Sequence, residues 1–341
     1  SGGLDSSLIT AITANNSKES INSYTIGFEN LNEFKYSEAV SKKFNTNHHK
    51  ILLKKEDYMN NWEKLIKFKD SPLGVPNEIP LAIMSKKLKE KITVVLSGEG
   101  ADELMGGYGR IYRSPFDYEH SSQSESFYDY FINLYEYVPR SLRNSLLSST
   151  TNFRAHFDDC ISKEFETKPN EENIFRFFHN FHVKGLLQRV DITTMQASVE
   201  ARVPFLDHKL IEYSYSKIPY DLKLKWNNYS SIEQAKQMNS NEYSEVLDSP
   251  KYLLKKIGSD FLPKEIIERK KVGFPVPLND WFGDLEKMAF DVLSDSVWLN
   301  KEALSELLIK SKDEVRSGQI IWMFINIELF IKNYFNKEWR W

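Results

Sequence analysis

Over residues 1–97 the hydrophobic positions switch repeatedly between helical and extended spacing. Apolar residues at helical spacing predict a helix from Asp5 to about Ala14. SYTIGF (Ser23–Phe28) is β-branched and aromatic and predicts a strand. Glu33–Phe44 predicts a helix with Tyr36, Val40 and Phe44 on one face. HKILLK (His49–Lys54) predicts a second strand, and another helix lies within Asp57–Phe68. PNEIPLAIMSKKLKEK predicts a helix with Pro80 in its first turn, where a missing N–H costs nothing. KITVVLS (Lys91–Ser97) predicts a strongly apolar strand. Strands alternating with helices at this spacing imply an α/β fold, a parallel sheet covered by helices on both faces.

From about Tyr112 the pattern changes. Aromatic helical segments such as SFYDYFINLYEYV and ENIFRFFHNFHVKGLL dominate, so the second half is predicted to be mostly helical. Residues 222–250 are polar and predict an irregular excursion. IIWMFINIELFI (Ile320–Ile331) contains Asn326 and Glu328 and is too short to span a bilayer, so it reads as a buried C-terminal helix. No repeat and no signal peptide is visible.

Composition narrows the classes. Of 341 residues, 41% are hydrophobic and 27% charged, which describes a globular chain of two domains or one large domain with additions. The net charge of −3 gives no bulk attraction to nucleic acid. Cys160 is the only cysteine, which excludes a disulfide scaffold and a multi-thiolate zinc site and fits reducing, cytoplasmic surroundings.

Four loops carry candidate chemistry. SGGLDSS (Ser1–Ser7) runs into the first helix; its glycines admit an anion close to the backbone, and the helix offers free N–H groups. Asp5 would repel a phosphate unless a cation sat between them, and magnesium is the natural bridge. The alternative is a glycine-rich turn with a Ser or Asp helix cap. LSGEGADELMGGYGR follows the apolar strand at its carboxyl end, where open parallel sheets bind ligands. Asp102 there would be a second magnesium ligand, and Glu99 would contact the reacting group; the alternative is a turn with solvated acids. In QRVDITTMQASVEARVPFLDHKL, Glu200 and Arg202 flank a change from helix to loop, and Asp207 can cap the next helix. The alternative is a local ion pair. In ERKKVGFPVPLNDWF, Lys271 or Lys270 could meet phosphate, against the alternative of a solvated charge run. His179 and His182 read as ordinary helix residues among phenylalanines, and His48–His49 offers no metal geometry.

SGGLDSS resembles the pyrophosphate loop of the N-type ATP pyrophosphatases, whose fold is adenine nucleotide alpha hydrolase-like. LSGEGADELMGGY, EARVPFLD and RKKVGFPVP, in that order, resemble the synthetase domain of glutamine-hydrolysing asparagine synthetase over nearly the entire chain. The resemblance implies a carbon–nitrogen ligase using ATP and magnesium. It would adenylate the side-chain carboxylate of aspartate, release pyrophosphate, and let ammonia displace AMP. By motif, Ser1, Gly2, Gly3, Asp5 and Ser6 would hold pyrophosphate, Asp5 and Asp102 would share magnesium, Gly98 would lie against the nucleotide, and the backbone near Ile26 would meet adenine. Lys271 would neutralise charge growing on the phosphates. The related β-lactam synthetase has tyrosine at the Glu99 position, working with a glutamate matched to Glu200, so Glu99 favours ammonia as nucleophile. The change of pattern at about Tyr112 divides the chain into a sheet core (1–111) and a helical remainder (112–341) that would complete the synthetase domain. The resemblance also implies a first strand and a glutaminase domain before Ser1, which would then be a cut edge of a longer gene product. A homodimer is compatible with it; nucleic acid and membrane partners are not expected. Other family members amidate sugars or peptides, and a non-catalytic homologue is the contrasting class.

Overall fold

The structure, a computed structural model, describes residues 1–148, 155–167, 169–271, 273–310 and 317–335. The first part follows the sequence pattern closely. Helix α1 (Leu4–Asn16) leads to β1 (Asn22–Phe28), α2 (Phe34–Phe44), β2 (Asn47–Leu53), α3 (Lys55–Lys69), α4 (Glu78–Leu88), β3 (Val94–Leu96) and α5 (Ala101–Met105). Val40 is buried on α2, with Tyr36 and Phe44 packed beside the same cluster. Pro80 occupies the first turn of α4, as predicted.

The sheet departs from the expectation. Instead of one continuous parallel sheet there are two short parallel pairs: β1 with β2, in register Ile26 to Ile51, and β3 with β4 (Glu200–Arg202), in register Val94 to Glu200. Among the described residues neither β1 nor β3 has a strand on its second edge. The KITVVLS pattern suggested a buried strand of seven residues, yet only Val94–Leu96 is extended, and Val94 (53%) and Leu96 (41%) are exposed. Apolar side chains alone do not bury a strand whose edge and face lack partners.

The polar stretch 222–250 is more ordered than its composition suggested. It contains β5 (Leu224–Trp226) paired antiparallel with β6 (Asp248–Pro250). The buried Arg113 holds this pair to the helical half: its Nε donates to Asp248 Oδ2 at 2.8 Å, its Nη2 donates to the Leu224 carbonyl at 3.1 Å, and its guanidinium lies 3.8 Å over the Trp226 ring. Asp117 adds to this hold, accepting from the Ser240 amide and the Tyr243 hydroxyl, so polar contacts order a segment that hydrophobic periodicity could not reveal.

The C-terminal helix Ser317–Tyr334 is largely buried, as its apolar run predicted, and its buried Asn326 and Glu328 are hydrogen-bonded. Asn326 accepts from Trp62 Nε1 and donates to the Leu73 carbonyl, while Glu328 accepts from Trp298 Nε1. Trp322 stacks on Trp62 with ring centroids 5.3 Å apart. This core joins residues from β1 and α3 to residues beyond 278, so it crosses the division at residue 111. A second, aromatic core lies within 111–224, and a third, around α1, α2 and α5, supports the loops of the candidate site. Among the described residues, no helix is long and apolar enough to cross a membrane.

Candidate active site

Two glycine loops meet first. Gly3 is the N-cap of α1 and has no side chain, so no side-chain oxygen caps the helix and the loop stays open to an anion. A Cβ on Gly98 would lie 2.9 Å from the Ser6 amide nitrogen and 3.0 Å from Asp5 Cβ, so only glycine lets the SGEG loop lie against SGGLDSS. Gly107 is equally constrained: a Cβ there would lie 1.9 Å from Asp102 Oδ1.

At this junction Asp5 and Asp102 share one ammonium group. Lys251 Nζ lies 2.6 Å from Asp5 Oδ2 and 2.7 Å from Asp102 Oδ1. Lys271 pairs with the same Asp102 oxygen, and its ammonium lies 4.5 Å over the Tyr108 ring. Burial drives the Asp102 carboxyl up, but the two ammonium groups outweigh it and hold the carboxyl below its usual range. For Asp5 burial prevails over Lys251, and the nearby Asp102 charge adds to the rise. Burial works against the Lys251 ammonium, yet the two carboxylates hold its pKa above the ordinary lysine value. Asp5 Oδ1 is buried with no hydrogen-bond partner, an orphan acceptor beside two cations.

The other expected residues separate. Ser1 and Ser6 share a hydroxyl hydrogen bond of 2.6 Å beside Gly2 and Gly3. Ile26 is buried in the core behind β1. Glu99 accepts a 2.7 Å hydrogen bond from Arg189 Nη2, not a contact with Glu200. Glu200 sits 3.3 Å from Arg202, and both side chains are well exposed, which matches the local ion-pair alternative. Of the three cations in ERKK, Lys270 is exposed, Lys271 faces the carboxylates, and Arg269 is structural: it donates to the Gly2 carbonyl at 2.8 Å and pairs with Glu33. Asp207 caps the helix His208–Lys217 as predicted, accepting from the Lys209 and Leu210 amides.

Behind Asp102 lies a polar network that sequence reasoning missed. Tyr108 donates to Glu103 Oε1 at 2.6 Å, His182 Nε2 is 3.6 Å from the same oxygen, and His182 Nδ1 is 2.6 Å from the Tyr135 hydroxyl. Burial, with the Asp102 charge adding, pushes Glu103 up to about 7. Burial and then the Arg189 charge lower His182 to about 4. His182 ends a π-helical turn, Phe178–His182, so it is more specialised than the ordinary helix residue expected.

Lys251 and Arg189 carried no sequence signal of their own. Lys251 reads as one of several lysines in KYLLKK, yet its backbone is left-handed, with φ 53°. A non-glycine residue in that conformation is uncommon and often functional. Among the described residues, no group of three or more His, Cys, Asp or Glu could hold a metal.

The chain is similar to known proteins along its length. It is 27% identical to asparagine synthetase [glutamine-hydrolyzing] 1 of Bacillus subtilis, over 99% of this chain and 57% of that protein. It is 27% identical to asparagine synthetase [glutamine-hydrolyzing] 3 of the same organism, over 90% of this chain and 50% of that one. It is 26% identical to the asparagine synthetase [glutamine-hydrolyzing] of Gallus gallus, over 92% and 44%. The chain thus spans about half the length of the curated relatives it matches. The family model described as asparagine synthase matches residues 1–332, and with the two loops and their lysines in place the chain belongs to the asparagine synthase family.

Proposed function

We propose that this chain catalyses the ATP-dependent amidation of L-aspartate to L-asparagine through β-aspartyl-AMP, releasing pyrophosphate and AMP, with ammonia delivered by a glutaminase domain outside it. The observation that carries this reading is the meeting of Asp5 and Asp102, from two glycine loops, on the Lys251 ammonium with Lys271 alongside. Two carboxylates and two lysines at a helix N-terminus suit a triphosphate.

In the first step an acceptor carboxylate oxygen bonds to the α-phosphorus and the bond to pyrophosphate breaks. Ser1, Gly2, Gly3 and Ser6 would hold the departing pyrophosphate, Gly98 and the backbone near Ile26 would border the nucleotide, and Lys251 and Lys271 would offset the growing negative charge. The orphaned Asp5 Oδ1 and the pair of carboxylates fit magnesium, which binds through one or two carboxylates plus substrate phosphates. Asp5 and Asp102 would hold that ion, which when bound supplies charge neutralisation at the phosphate oxygens. In the second step ammonia nitrogen bonds to the carbonyl carbon, AMP leaves, and the surplus proton passes to Glu99. Glu200 is exposed and paired with Arg202 in this structure, and no step is assigned to it.

The test uses the complete gene product with ATP, magnesium and ammonia, a panel of carboxylates, and product identification by mass. Aspartate-dependent AMP and asparagine are expected. An amide of a different carboxylate would replace aspartate as the acceptor, and no AMP with any carboxylate would make the protein a non-catalytic member of its family.

A further inference from the structure

The geometry points to Arg189 as the positioning residue for Glu99, anchored through Asn77 to the loop that carries Lys271. This inference rests on the amidation reading above. Arg189 projects from the helix Val183–Met195, and its Nη2 donates to Glu99 Oε1 at 2.7 Å. The side chains are 12% and 27% exposed, so this pair is far more shielded than Glu200 with Arg202, at 46% and 69%. Shielding decides which pair fixes a geometry, because an exposed pair is screened and mobile.

The second guanidinium arm reaches elsewhere. Arg189 Nη1 donates to Asn77 Oδ1 at 3.4 Å, and Asn77 Nδ2 donates to the Phe274 carbonyl at 3.4 Å. Phe274 lies in the GFPVP turn just beyond Lys271. Both contacts are long, so the Glu99 bond is the strong member of the chain and the Asn77 arm a weaker guide. The planar fork of arginine can serve two acceptors in fixed directions, which a lysine ammonium cannot reproduce.

The consequence is chemical. An unpaired glutamate at a loop tip samples several rotamers, and fixing them when ammonia arrives costs side-chain entropy. Arg189 fixes Glu99 beforehand by one oxygen and leaves the other for the proton of the attacking amine. Through Asn77 the carboxylate of the amide-forming step is also tied to the loop of the lysine that serves adenylation. Arg189 touches neither phosphate nor acceptor in this scheme, so its loss falls on the second step.

The experiment measures two steps and one coupling in the complete protein. Aspartate-dependent ATP–pyrophosphate exchange without ammonia reads adenylation; asparagine formed per AMP, across ammonia concentrations, reads amide formation. Arg189→Leu is expected to keep exchange within about threefold while asparagine per AMP falls roughly tenfold or more, the adenylate being lost to water. Arg189→Lys should restore part of the yield, and Asn77→Ala should lower it by only about twofold. A urea-unfolding double-mutant cycle of Arg189→Leu with Glu99→Gln reads the pair without turnover, and a non-zero coupling is expected. Exchange and amide yield falling together would make Arg189 merely structural and overturn the proposal, as would zero coupling in the cycle. A wild-type protein that shows no exchange with any carboxylate overturns the amidation reading and the role of Arg189 with it, whatever the cycle gives.

Discussion

Lys251 and Lys223 are both buried lysines, and their surroundings are opposite. Lys251 stands between two carboxylates, within 2.7 Å of each, and its ammonium is stabilised. Lys223 is 0% exposed, its Nζ has no hydrogen-bond partner, and it is ringed by Phe175, Tyr215 and Tyr220 at 4.6, 4.9 and 5.1 Å. Burial lowers its pKa to about 8. The two lysines border one loop: the Lys251 side chain packs on Gly107, and the Lys223 backbone lies near Gly106. Burial alone therefore says little about the state of a lysine; the partner set decides whether the charge is kept for chemistry or merely tolerated.

The largest effect is expected from removing the charge that has partners. Lys251→Met leaves Asp5 without its ammonium and two part-buried carboxylates with only Lys271 between them and solvent, so unfolding free energy should drop by about 2 kcal/mol, and ATP–pyrophosphate exchange should fall at least roughly a thousandfold. Urea titration and exchange measure these separately, and unchanged exchange would separate Lys251 from the phosphate site. Asp102→Asn should lower exchange by roughly a hundredfold with the fold kept, because Lys251 still has Asp5. Equal exchange in that variant would sink the metal and phosphate assignment.

Lys223 should respond to pH instead. Its folded pKa is below the ordinary 10.5, so below about 8 the buried charge destabilises the fold in full. As pH rises from about 8 towards 10.5 the unfolded chain binds the extra proton and stability climbs, by up to roughly 3 kcal/mol. Urea midpoints across that window should show the rise in the wild type and a flatter profile in Lys223→Met. A profile unchanged by the substitution would mean that Lys223 does not titrate there. The smallest effect is expected at the exposed reference pair: Glu200→Gln should move the unfolding free energy by less than about 0.5 kcal/mol. A larger loss in the same urea titration would mean that Glu200 has partners beyond Arg202.

What the sequence made legible follows the range of the forces involved. Local elements from α1 to α4 were readable because periodicity and Pro80 act over a few residues. Asp5 and Asp102 were readable because glycines crowd around acids in short motifs. The parallel sheet was legible only in part: the described residues form two short parallel pairs, and an apolar run such as KITVVLS says that a strand would be stable if covered, not how long it is. Lys251, Arg189 and His182 were missed because each acts on a residue remote in sequence, at a distance that no spacing rule encodes.

The Lys251–Asp5 contact spans 246 positions of the chain, and Lys271–Asp102 spans 169. Contacts this distant close only after most of the intervening chain has condensed, since each closure carries a loop entropy that local contacts do not. The candidate site is therefore expected to form late in folding, with local helices present while the carboxylates and their lysines are still apart. Recovery of pyrophosphate exchange during refolding would then lag behind the return of helical signal, so activity would time the arrival of the last long-range contacts.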